Sequence, residues 1–288
     1  SVDGDIAIVV GDDVSDQFTI GALRASNANV AIIAAGSVLD SDSVTSSSDD
    51  STVDVEARGL SVDAGKGLGV LAGNSLSVDV NAVETRVQTL AVRVRGADGI
   101  NVLESDGLTV GDIASAADVG KAVVLSTVRV DGTTNTRTEA LASDLLVDAV
   151  NGANGSIVLR TTTGDLVLNE GSATNAGRAV SVNGSGNVLI QAAAGALLVN
   201  ANADIVSGSG NVSLLARTSI GLSAGADVRT SSTSSASGGI DLWAETGAIT
   251  QSASSVLLSA GSSAVARLVA GTDITVGDIE LVEGKVGL

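Results

Sequence analysis

A Gly-x-Ser-x-Gly string occurs at Gly221-Leu222-Ser223-Ala224-Gly225. In serine hydrolases this pattern makes a sharp strand-to-helix turn that exposes a nucleophilic Ser, whose proton is taken by a His. The chain contains no His, and the five residues sit among short alternating apolar stretches, so a strand and turn are expected here. Gly65-Lys66-Gly67 and Gly120-Lys121-Ala122 raise the question of a phosphate loop. A Walker loop needs an earlier Gly, separated by four residues from the Gly-Lys pair, and a Ser or Thr after the Lys. Leu60 and Ser115 occupy the earlier positions, and Gly67 and Ala122 follow the lysines, so both places read as repeat corners.

Carboxylates are the most abundant chemical groups. Asp12, Asp13 and Asp16 lie close together, as do Asp40, Asp42, Asp49, Asp50 and Asp54. Ca2+ favours carboxylate and carbonyl oxygens in turns. The Gly-Gly-x-Gly-x-Asp nonapeptide of calcium-binding β-rolls is missing, however. A solvated acidic loop is therefore the first reading of both groups. Opportunistic Ca2+ binding at Asp12, Asp13, Asp16, Asp49 and Asp50 is the second. Paired carboxylates could also hydrolyse a polysaccharide, and parallel β-helices do host such enzymes. Only Trp243 and Phe18 are aromatic, which leaves no sugar platform, and most Asp residues neighbour Gly, Ser or Asn as turn residues do. No catalytic residue and no cofactor site is expected. Asn154-Gly155-Ser156, Asn183-Gly184-Ser185 and Asn211-Val212-Ser213 match glycosylation acceptors, but Asn-rich turns produce such matches freely.

The elements that must carry these residues follow from composition. Of the 288 residues, 44% are apolar, nearly all Val, Leu, Ile and Ala, and 35 are Gly. β-Branched and small residues with Gly and Asn punctuation describe many short strands and tight turns. There is no Pro, as suits strands paired on both edges, and no Cys, so no disulfide can contribute. With no Met, the chain reads as a segment of a longer or processed protein. The net charge of −18 would repel a phosphate backbone or an anionic bilayer, so nucleic acid is not an expected partner. The longest apolar run, around Val30 to Ala35, is too short to span a membrane, so no membrane insertion is expected.

The sequence repeats. "GNVLIQAAAGALLVNANADI" from Gly186, "GNVSLLARTSIGLSAGADV" from Gly210, "GIDLWAETGAITQSASSV" from Gly239 and "AVARLVAGTDITVGDI" from Ala264 each show strand, turn and strand. Ser/Thr-rich insertions such as 229–238 vary the spacing. A longer echo, at a nearly constant offset, matches Gly96–Gly99 with Gly152–Gly155, Gly107–Val110 with Gly164–Val167, and Gly120–Val123 with Gly177–Val180. It is read as two units of about 28 residues. Such units imply an all-β parallel solenoid with coils of about 23–29 residues, stacked about 4.8 Å apart. An antiparallel sandwich is the competing fold. In the solenoid Val188 lies under Val212 and Leu197 under Ile220, and corner Asn and Asp bond the next coil. Division of the length predicts roughly 11 or 12 coils and a rod of about 55 Å. Residues 1–288 are expected to form one continuous solenoid segment, less regular over 1–154 and clearer over 155–288.

The strings "GNVLIQAAAG", "GNVSLLARTSIGLSAGADV", "GAITQS" and "AGTDITVGDI" resemble the repeats of filamentous-haemagglutinin-type exoproteins, most clearly over 155–280. "GADGINVLESDGLTVGDI" (96–113) is similar to repeats of giant β-strand-rich exoproteins. The motif is common to many such proteins, so it points to a class. The resemblance implies a right-handed parallel β-helix in the shaft of a secreted or surface-attached bacterial adhesin, with an extracellular location. The expected function is a non-enzymatic shaft or stalk, with adjoining segments of the same protein as partners. The alternative is a self-assembling extracellular filament whose subunits stack end to end.

Overall fold

The computed structural model describes residues 4–41, 52–71, 82–113, 122–140, 145–147, 154–171, 177–230, 238–260, 265–281 and 285–287. Among them there are strands and turns and no α-helix. All strands but two belong to one sheet, and every pairing within it is parallel. The fold is a parallel β-solenoid.

The reason is legible in any one coil. Val188–Ala192, Leu197–Val199 and Asp204–Ser207 are short strands separated by tight corners. In the first, Val188, Ile190 and Ala192 point inward and are buried, while Leu189 and Gln191 are half-buried on the outside. A period of two puts one apolar set on the inside. Closure of the coil then forces each backbone N–H and C=O to pair with the coils before and after, since no other partner is near.

Two ladders run the length of the rod. One follows the register Ile8, Ile32, Val62, Val92, Leu145, Val180, Ile205, Val228, Leu257, Ile279. The other follows Phe18, Val38, Leu68, Ile100, Ile157, Val188, Val212, Ile240, Ala266, Val286. A third side stacks Leu108, Leu166, Leu197, Ile220, Ile249 and Ile274. From Gly99–Glu104 onward the coils are three-sided and about seven deep. Before that point, long strands such as Leu23–Ala34, Val55–Ala64 and Val83–Val94 each turn a corner and serve two sides.

The ladders hold ten strands, fewer than the 11 or 12 coils expected, so the rod is roughly 43 Å long by strand spacing. The difference comes from the long echo. Ile100 pairs directly with Ile157, so the whole stretch between them is one coil and not two. The surplus contains an antiparallel hairpin, Ala122–Val128 with Thr134–Ala140, which stands apart from the main sheet. The third echo therefore matches unlike elements: Val123 is in the hairpin, whereas its counterpart Val180 stacks on Leu145. The second echo is also out of step by a single position, because Leu108 pairs with Leu166. Later coils on the second ladder are shorter and uneven, running from Ile157 to Val188, Val188 to Val212, Val212 to Ile240 and Ile240 to Ala266. Val188 does lie against Val212 and Leu197 against Ile220.

Corner side chains stitch coils together as the repeats imply. The Ser156 hydroxyl accepts from the Asn187 N–H at 2.9 Å, Asn187 Oδ1 from the Asn211 N–H at 2.8 Å, and Asn211 Oδ1 from the Gly239 N–H at 2.8 Å. At another corner Asp204 accepts from the Asp227 N–H, and Asp227 from the Val256 N–H. Each bond satisfies a donor that the turn would otherwise leave open.

Candidate functional site

The motifs that raised chemistry fall on structural positions. Gly221 and Leu222 belong to the strand Ile220–Leu222, and Gly225 takes φ +68° in the turn that follows. The Ser223 carbonyl accepts from the Ala226 N–H within that turn. Ser223 thus sits on a strand-to-turn corner, with no helix after it. At Gly65-Lys66 the backbone N–H groups donate to the carbonyls of Ala34 and Gly36 in the coil before, so they are not directed at an anion. Gly120 and Lys121 lie outside the described residues.

Asp12, Asp13 and Asp16 occupy an exposed turn. Asp16 Oδ2 accepts from the N–H groups of Asp12 and Asp13, at 3.2 and 3.3 Å, and Asp13 Oδ1 accepts from Ser15. The Ser15 backbone bond, followed by its hydroxyl, lowers the Asp13 pKa. The Asp13 and Asp16 carboxylates are occupied in closing their own loop. Asp49 and Asp50 lie outside the described residues, as does Asp42.

The structure brings a different trio together. Asp40, Asp54 and Glu84 each point one carboxylate oxygen to a common region, all within 4.8 Å of one another. Asp40 ends the strand Val38–Asp40, Asp54 immediately precedes Val55–Ala64, and Glu84 lies near the start of Val83–Val94. Asp54 and Glu84 are one coil apart, because Val55 pairs with Thr85. The Asp54 N–H donates to the Glu84 carbonyl, and the Glu84 N–H returns a bond to Asp54 Oδ2 at 3.1 Å. Asp54 is 1% exposed and Glu84 4%. Burial, with the adjacent Asp40 adding to it, pushes the Asp54 carboxyl well above the ordinary carboxylate range. Glu84 escaped sequence reasoning because the repeats were not aligned at the period of this part of the chain. That period places Glu84 above Asp54 as it places Leu90 above Leu60.

Glu104, 0% exposed, is a further buried acid, and its surroundings are structural. Its carboxylate accepts from the Thr85 hydroxyl at 2.7 Å and from the N–H groups of Val87, Ser105 and Asp106. Burial nevertheless raises its pKa to about 7, against those donors, which favour the charged form. A folded-state pKa above the unfolded one means that the contribution of Glu104 to stability is fully present below about pH 4.5 and is lost as pH rises through 7. Taken whole, the shift is worth roughly 3 kcal/mol. Urea midpoints at pH 5 and pH 8.5 are expected to differ in that direction, and by less in Glu104→Gln.

On the outer face Trp243 is 44% exposed and stacks in register between Leu215 and Val269. With Gln191, Arg217 and Glu245 it borders a shallow depression. Arg217 and Glu245 are ion-paired across adjacent coils.

Neither protein-family models, curated proteins nor solved structures include a match to this chain. The class is therefore defined by the fold: a β-helix repeat protein, built of parallel coils on an aliphatic core.

Proposed function

We propose that the chain is a non-enzymatic shaft segment of a large secreted or surface-attached bacterial exoprotein, and that its work is mechanical. The observation that carries this reading is the pair of ladders ten strands deep. Chain used this way produces length. Each coil adds about 4.8 Å of rod and a full set of backbone bonds along its axis. Stability in such a stack is spread over coil interfaces. The acidic surface, from a net charge of −18, keeps like rods from associating side by side. The fitting partners are adjoining segments of the same protein.

End-to-end association is a second reading, favoured by the last coil. Val265, Ile274 and Val276 are exposed there, and the core-facing Ile279 and Leu281 are only partly covered. The edge of strand Asp278–Leu281 that faces away from Val256–Ser259 can receive either a following coil or another copy. Sedimentation velocity across a hundredfold concentration range separates these uses. A shaft segment within its parent protein is expected to stay monomeric. Filament subunits are expected to grow with concentration and to stop growing in Ile274→Asp. Turnover of an acidic polysaccharide by the purified chain would overturn both.

A further inference from the structure

We propose that Asp40, Asp54 and Glu84 form an internal binding site for one Ca2+ ion, which closes the corner where two adjacent coils meet. Three observations converge. The first is distance: donor oxygens of all three carboxylates lie within 4.8 Å of one another, the widest separation of two ligands on one Ca2+ at about 2.4 Å each.

The second is an orphaned atom. Asp54 is 1% exposed, and its Oδ2 accepts from the Glu84 N–H, but its Oδ1 is buried and receives no donor. That side chain is in contact with the Asp40 carboxylate, which has no proton to offer when ionised. A buried acceptor facing another acceptor is costly unless a shared proton or a cation lies between them, and the calcium titration separates the two. Arg24 does not supply it through its hydrogen bonds: its guanidinium donates to the backbone carbonyls of Leu23, Val53 and Asp54.

The third is ligand chemistry. The chain has no His and no Cys, so borderline and soft metals lack their usual donors, and an all-carboxylate set selects a hard cation. Between the hard divalent ions, Mg2+ holds several of its waters, whereas Ca2+ accepts protein oxygens in irregular geometry. A corner whose Asp54 and Glu84 ligands are so fully buried suits the second. The ion would join Asp40 and Asp54 of one coil to Glu84 of the next.

The test is a calcium titration of the whole chain at pH 7.5 after chelation, followed by calorimetry and by thermal melting. One Ca2+ per chain is expected, with a melting temperature that rises with its concentration and responds far less to equal Mg2+. Asp54→Asn and Glu84→Gln, nearly isosteric, are expected to weaken binding by at least about 10- to 100-fold, the loss seen when even an outer partner of a metal ligand is removed. Asp16→Asn, in the exposed turn, is expected to bind as the parent does. A parent protein whose melting temperature is the same in chelator and in millimolar Ca2+ overturns the proposal. So does loss of the response in Asp16→Asn with retention in Asp54→Asn, or an equal response to Mg2+.

Discussion

Replacing Leu214 by Ala is expected to destabilise the protein by about 3 kcal/mol, within the range for emptying a fully buried leucine site. Leu214 is 0% exposed. It stacks between Ile190 in one neighbouring coil and Leu242 in the other. Removing its side chain leaves a gap shared by two coil interfaces. In a stack where each unit contacts only its neighbours, both interfaces weaken together and the damage stays local. Amide exchange is expected to speed up first across Val188–Ala192, Val212–Ala216 and Ile240–Ala244, with the coils around Ile32 and Val62 protected longer. Leu215→Ala, on the outer face of the same strand and only half-buried, serves as the control and is expected to cost under about 1 kcal/mol. Equal losses for the two variants would contradict the inward register of Val212, Leu214 and Ala216.

Gly195→Ala is the second substitution with a large effect, and it acts through backbone spacing. A Cβ at Gly195 would lie 1.8 Å from the Gly164 carbonyl oxygen and 2.7 Å from Asp165 Oδ1. The obstacle is the main chain of the preceding coil, which cannot rotate away as a side chain can. Asp165 also accepts the Ala196 N–H at 2.8 Å, so separating the coils breaks that bond too. Gly195 does not have a positive φ, so what it contributes is room. Overpacking typically costs about 1–3 kcal/mol, and a rigid backbone neighbour puts this site at or above the upper end. Gly221→Ala is the contrast. Its nearest neighbour is Leu198 Cδ2 at 3.6 Å, ordinary contact, and loss of unfolded-state freedom can make the change neutral or slightly stabilising. Chemical denaturation of the two variants beside the parent checks both expectations. A stable Gly195→Ala protein would mean that the corners are looser than this close approach implies.

The solenoid was legible because the repeated sentence is physical. "GNVLIQA" and "GNVSLLA" align Val188 with Val212 and Ile190 with Leu214, and those pairs are stacked. The alternation in each segment already assigns one face to the core, so the in-register parallel ladder follows once the strings are matched. The Asn corners were legible for the same reason, since Asn187 and Asn211 hold equivalent places and bond each other's coils.

Legibility failed where chain length and coil number part company. The echo from Ile100 to Ile157 is long enough to read as two units, yet the two residues are direct neighbours in the sheet. Hydrogen bonding counts layers and is indifferent to how much chain a corner extrudes, here including the hairpin 122–140. The acidic trio failed in the opposite way. Asp12, Asp13 and Asp16 are neighbours in sequence but bond within their own turn, while Glu84 is far from Asp54 along the chain and meets it in space.

What the sequence determined by itself is periodic: the β class, the inward face of each strand, the parallel stacking of like on like, and the aliphatic core. These follow from local alternation and from repetition, both of which survive as a string of letters. What only the tertiary structure decided is which coil lies next to which, and therefore how many layers there are and which carboxylates share a buried corner. The reason is that a solenoid converts a separation of one coil along the chain into about 4.8 Å in space. Proximity there depends on the length of every loop between, and no single stretch of sequence states it.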